Sequence, residues 1–117
     1  MPIKRLEVGP RMSQAVIHGS VVYLAGQVAG AAKGKAVKEQ TQDILATIDR
    51  LLKAAGTSKL KLLTATVYLT DIGTFAEMNE AREGWVVAGN TPARATLEAK
   101  LAAPEYHVEI VVTAALD

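Results

Sequence analysis

The chain has 117 residues, 50% hydrophobic and 21% charged, which suffices for one packed core and is too little for two ordinary domains. Thirteen Lys and Arg against twelve Asp and Glu leave a formal charge of +1, which gives no general field for drawing in nucleic acid or an anionic membrane. Zero cysteines exclude disulfides, thiolate metal sites and a cysteine nucleophile, and two histidines, His18 and His107, are too few for an ordinary zinc or iron site.

The opening MPIKRLEVGPRMSQ places charges and Pro where a secretory signal needs an apolar run, and no apolar stretch approaches the roughly 18 residues of a membrane span. The expectation is one domain over residues 1–117, cytoplasmic and not membrane-bound. Ile3 to Val8 reads as a short strand ended by Gly9-Pro10. Ala15–His18 and Val21–Ala25 are β-rich runs separated by Gly19-Ser20, which suits a type II′ hairpin with Gly in the first central position. Gly30 to Ala36 is a Gly/Ala/Lys-rich loop.

From Val37 to Ala55 the period changes. Val37, Thr41, Ile44, Leu45, Ile48, Leu51, Leu52 and Ala55 recur at steps of three and four, predicting an amphipathic helix closed by Gly56. Leu60–Thr70 is a long strand by its β-branched and aromatic heart. Thr74-Phe-Ala-Glu77 has capping-box spacing and opens a second helix running through Trp85 and Val86 to Gly89-Asn90. Ala93–Ala99 alternates, with Arg94, Thr96 and Glu98 on one side. His107–Leu116 is apolar on nearly both faces and belongs mid-sheet or between subunits. The order β-β-β-α-β-α-β-β is an α+β chain with one mixed sheet. Two helices cover only one face of it, so the other face is expected to be covered by self-association.

Most charged residues fall on solvated faces or loops, including Lys33, Lys35 and Lys38. Arg94 and Glu109 do not, since each interrupts an apolar strand. A hairpin centred between Leu101 and Ala102 sets Arg94 opposite Glu109 and Thr96 opposite His107. The residues alone leave two readings open. One is a cross-strand ion pair that satisfies itself; the other is a pocket in which Arg94 offers a planar fork to a carboxylate while Glu109 positions or deprotonates water. His18 reads as a turn-flanking residue, His107 as structural or at a pocket edge, and Trp85 and Phe75 as core.

Pro92-Ala-Arg-Ala-Thr96 with Glu109 resembles the C-terminal signature of the RidA (YjgF/YER057c/UK114) family of reactive-intermediate imine deaminases. Leu24-Ala-Gly-Gln27, Gln40-Thr-Gln42 and Phe75-Ala-Glu-Met-Asn79 resemble further family motifs, in order, over roughly residues 10–116. The resemblance implies a chorismate-mutase-like fold and a homotrimer, with a central barrel of sheets and ligand clefts between subunits. It implies hydrolysis of 2-imino acids or enamines, such as 2-iminobutanoate and 2-iminopropanoate, to 2-keto acids and ammonia, with no cofactor and no metal. Such intermediates leave pyridoxal-phosphate enzymes that dehydrate Ser or Thr.

Carried over by position, Arg94 matches the arginine that grips the substrate carboxylate and Glu109 the acid associated with the attacking water. Gly26 matches a backbone contact at the cleft, Asn79 a polar residue near it, and Thr96 a cleft position where many members carry Cys. Ala25 replaces a serine found in some members. Arg11 and Met12 stand where many have a Tyr after Gly-Pro, and Arg11 is a candidate second anion contact. Two other readings accompany the deaminase: a non-catalytic carboxylate-binding regulator of the same fold, and a translation-inhibiting endoribonuclease, against which the near-neutral charge speaks.

Overall fold

A computed structural model describes residues 2–117. Strands β1 (Ile3–Val8), β2 (Ser13–His18), β3 (Val21–Leu24) and the two-residue β4 (Gln27–Val28) precede helix α1 (Val37–Ala55). Then come β5 (Leu62–Leu69), α2 (Phe75–Glu83), β6 (Ala93–Glu98) and β7 (Val108–Ala115), with single 3₁₀ turns at Lys59–Lys61 and Ile72–Thr74. The expected order holds, with β4 added.

The strands form one mixed sheet in the order β1-β2-β3-β7-β5-β6, and β4 also pairs with β7. Gly19 turns β2 into β3 at φ +62°, with His18 facing Val21, as a type II′ hairpin requires. β7 is central, antiparallel to β3, β4 and β5. β6 runs parallel to β5 and forms the outer edge. Two parallel neighbours need a crossover, and α2 provides it.

The expected β6–β7 hairpin is therefore wrong: β5 lies between the two strands. In β7 the residues opposite Tyr68 and Val67 are Glu109 and Ile110, while in β6 they are Leu97 and Thr96. Neither Arg94 with Glu109 nor Thr96 with His107 forms a pair.

α1 crosses β2, β3, β4 and β7, and α2 packs on α1. Ile44, Ile48, Leu51 and Leu52 meet Val22, Val67, Leu69, Val108, Ile110 and Val112 in a fully buried core. Gly56 ends α1 in the left-handed conformation at φ +90°. The expected capping box at Thr74 and Glu77 does not form. Thr74 Oγ1 donates to the Asp71 carbonyl, and Glu77 instead accepts the Lys38 N–H at 2.8 Å. Ala36 has no side-chain acceptor to cap α1, so the carboxylate from α2 serves that end, close to the helix's positive pole. α2 itself stops at Glu83, and Trp85, beyond it, packs against the core while its indole N–H donates to Asp49.

No element among the described residues covers the opposite sheet face. Ile3, Tyr23 and Leu97 lie there about half exposed, with Val16 and Val111. No helix among the described residues is long and apolar enough to cross a membrane.

Candidate functional site

Strand parity decides which face each candidate residue occupies. Ala65, Val67 and Leu69 of β5 are buried under the helices, and their partners in β6 are Arg94, Thr96 and Glu98. Residues side by side on neighbouring strands point the same way, so these three lie on the helix side. Glu109 pairs with Tyr68 and with Val28, on the uncovered side. Arg94 and Glu109 thus lie on opposite faces, two strand spacings apart across the sheet and three residues apart along it, roughly 14 Å in all. A single small molecule cannot touch both within one chain.

Arg94 is exposed at the sheet edge and held from two directions. Its Nη1 donates to Asn79 Oδ1 at 2.6 Å, and its guanidinium carbon lies 5.1 Å from the centre of the Phe75 ring. Phe75 and Asn79 are four residues apart on α2 and so share one stripe of that helix. Phe75, expected only as core, both packs against the core and carries the guanidinium. Among the described residues no carboxylate lies within ion-pair distance of Arg94. One N–H of five is committed to Asn79, leaving an oriented donor fork open to solvent.

Arg82 continues the same stripe of α2, three residues after Asn79. The spacing of Phe75, Asn79 and Arg82 is visible in the sequence, but that Arg82 lacks a carboxylate among the described residues is visible only in the fold. Burial first, and then the charge of Arg94, push the Arg82 guanidinium below its ordinary pKa.

Thr96 lies beside Arg94 on the same face, but its Oγ1 is buried with no hydrogen-bond partner among the described residues. An unpaired buried hydroxyl costs desolvation without return. Thr96→Val keeps the shape and removes the orphan, so stability should stay level or rise by up to about 1 kcal/mol in thermal or urea unfolding. A drop of several degrees in Tm would show that the hydroxyl has a partner.

On the uncovered side Glu109 rests against the backbone of Gly26. A side chain at position 26 would run into the Glu109 carboxylate, so glycine is needed for this approach. Glu109 also borders a recess of about 290 Å³ with Tyr68, Lys100, Leu101 and Ala102. No described residue gives Glu109 an ion pair or a side-chain hydrogen bond. Lys100, on the rim, also lacks a carboxylate partner among the described residues.

His107 lies just before β7 and away from Thr96. Its N–H donates to Gln40 Oε1 at 2.9 Å, and its carbonyl accepts from Thr70. The fully buried Gln40 also donates to the carbonyls of Lys35 and Glu105, tying the loop before α1 to the segment before β7. Gln40 is therefore a structural brace. His18, Arg11 and Met12 are exposed.

A family profile described as Endoribonuclease L-PSP matches residues 3–116. A RutC family protein of Haemophilus ducreyi is 43% identical over 115 residues, covering 98% of this chain and 97% of that one. The RutC family protein YoaB of Escherichia coli strain K12 is 42% identical over 116 residues, covering 99% and 100%. The crystal structure of a member of the YjgF protein family from Neisseria meningitidis superimposes with a TM-score of 0.96 at 44% identity, covering 100% of this chain and 97% of that one.

Proposed function

Given that this chain belongs to the YjgF/RutC family, we propose that it hydrolyses reactive 2-imino acids and their enamine tautomers to 2-keto acids and ammonia, in clefts between protomers of a cytoplasmic homotrimer. The observation that carries this reading is the Arg94 fork, oriented by Asn79 and Phe75 and free of any carboxylate among the described residues. A guanidinium so prepared suits a planar carboxylate ligand.

The two faces of the sheet support this assembly. Gly26 and Glu109 lie on the uncovered apolar side, and Arg94 and Asn79 on the helix side at the outer edge. Packing the uncovered faces of several copies together buries the exposed apolar residues and brings one protomer's edge to the Glu109 recess of the next.

In such a cleft Arg94 holds the substrate carboxylate and thereby fixes the imine carbon. Glu109 accepts a proton from a water as its oxygen bonds to that carbon, giving a carbinolamine. Returning that proton to nitrogen makes the amine a leaving group, and as Glu109 takes the carbinolamine O–H proton the C=O bond forms, the C–N bond breaks and ammonia leaves, giving the 2-keto acid. A protonated C=N carbon is already electrophilic, so orientation and one acid–base group suffice for the step. A net charge of +1 gives no general field for a long anionic polymer, which favours a small acid over RNA.

The test couples the protein to a threonine dehydratase or an amino-acid oxidase and follows keto-acid release. Acceleration over buffer is expected; none with several imine sources would overturn the proposal.

A further inference from the structure

We propose that Arg82 is a second anion anchor beside Arg94, so that the cleft prefers dicarboxylic 2-imino acids, the imines of acidic amino acids, over imines with apolar side chains. The inference rests on the hydrolase reading above and names its substrate class.

Phe75, Asn79 and Arg82 follow one another at steps of four and three along α2, and the first two already hold Arg94. Arg82 is the next position on that stripe, close enough for the Arg94 charge to oppose its own. It is half-buried, where Arg94 is exposed. Among the described residues the ion pairs join Lys33 to Glu105, Lys38 to Glu80 and Arg50 to Glu7, so neither arginine has a carboxylate. No hydrogen bond from the Arg82 side chain to a described residue compensates its burial.

Two guanidiniums of like charge on one stripe, one partly withdrawn from water and neither with a carboxylate among the described residues, oppose each other. An anion with two negative groups relieves both costs at once. A monocarboxylate satisfies Arg94 and leaves Arg82 as it was. A short diacid places its second carboxylate about one helical turn away, which matches the step from Asn79 to Arg82.

The experiment compares wild type, Arg82→Gln and Arg82→Lys in two ways. Calorimetry measures binding of 2-oxoglutarate against 2-oxobutanoate as stable product probes. Turnover is measured on imines released from glutamate and from alanine by amino-acid oxidases. Wild type should favour the diacid, and Arg82→Gln should lower the diacid-to-monoacid ratio about 10- to 100-fold, the loss of one charge-assisted contact. Arg82→Lys should recover part of it. A ratio unchanged in Arg82→Gln overturns the proposal. So does a loosened oligomer at constant selectivity, because the anion met by Arg82 would then belong to a neighbouring protomer. Diacid preference that depends on Arg82, without turnover of any imine, would leave the second anchor standing and remove the hydrolase reading alone.

Discussion

Arg94→Ala is expected to lower kcat/KM for imine hydrolysis by roughly 100- to 1,000-fold, because on the proposed mechanism it removes a charge-assisted, two-pronged grip that fixes the reacting carbon. Stability should change by less than about 1 kcal/mol. Asn79 and Phe75 each lose a contact to an exposed group, and Arg82 is relieved of a like charge. No buried carboxylate is stranded, since Glu109 lies on the other face of the sheet. Steady-state rates and a thermal melt on the same preparation check both parts. Activity within tenfold of wild type would remove Arg94 from the site.

Glu109→Gln should lower turnover by roughly 100- to 10,000-fold, the usual contribution of a positioned acid–base group, again with little effect on Tm. The larger effect comes from combining the two variants. If each cleft takes Arg94 from one protomer and Glu109 from its neighbour, an equal mixture of Arg94→Ala and Glu109→Gln chains has about one quarter of its clefts intact. Coexpressed or subunit-exchanged protein should therefore recover about one quarter of wild-type activity from two nearly inactive parents. A mixture no better than its parents would place both residues' chemistry within a single protomer, contrary to their separation by the sheet.

Local signals were legible where local physics governs. The three-and-four spacing of apolar residues predicts α1 from Val37 to Ala55, and the structure has those bounds, with Gly56 left-handed where the pattern stops. The mid-sheet place of β7 follows from its two greasy faces. The sequence also shows that Arg94, Thr96 and Glu98 share a direction, but not which face that is. That depends on whether β6 pairs with β7 across a loop or with β5 across α2, and neighbours in sequence are only commonly neighbours in a sheet. The parallel β5–β6 pairing puts β5 between Arg94 and Glu109 and sets the two on opposite faces of the sheet, where a β6–β7 hairpin sets them side by side. Thr74 and Glu77 had the right spacing for a cap, yet the bare N-terminus of α1 took the carboxylate. Arg82 stayed hidden because its meaning lies in the absence of a counter-ion, which only the folded chain displays.

The place of β7 bears on how this protein comes into being during synthesis. Β7 is the seam of the sheet, yet it is the last of the seven strands to leave the ribosome. Until then the nascent chain can form a β1–β2–β3 meander and a β5–β6 pair, with no ladder joining them. Each fragment presents a raw edge and an apolar surface, the state in which emerging chains are most open to mispairing or chaperone capture. Sheet closure must wait for residues 108–115, so cooperative folding is deferred until β7 has emerged.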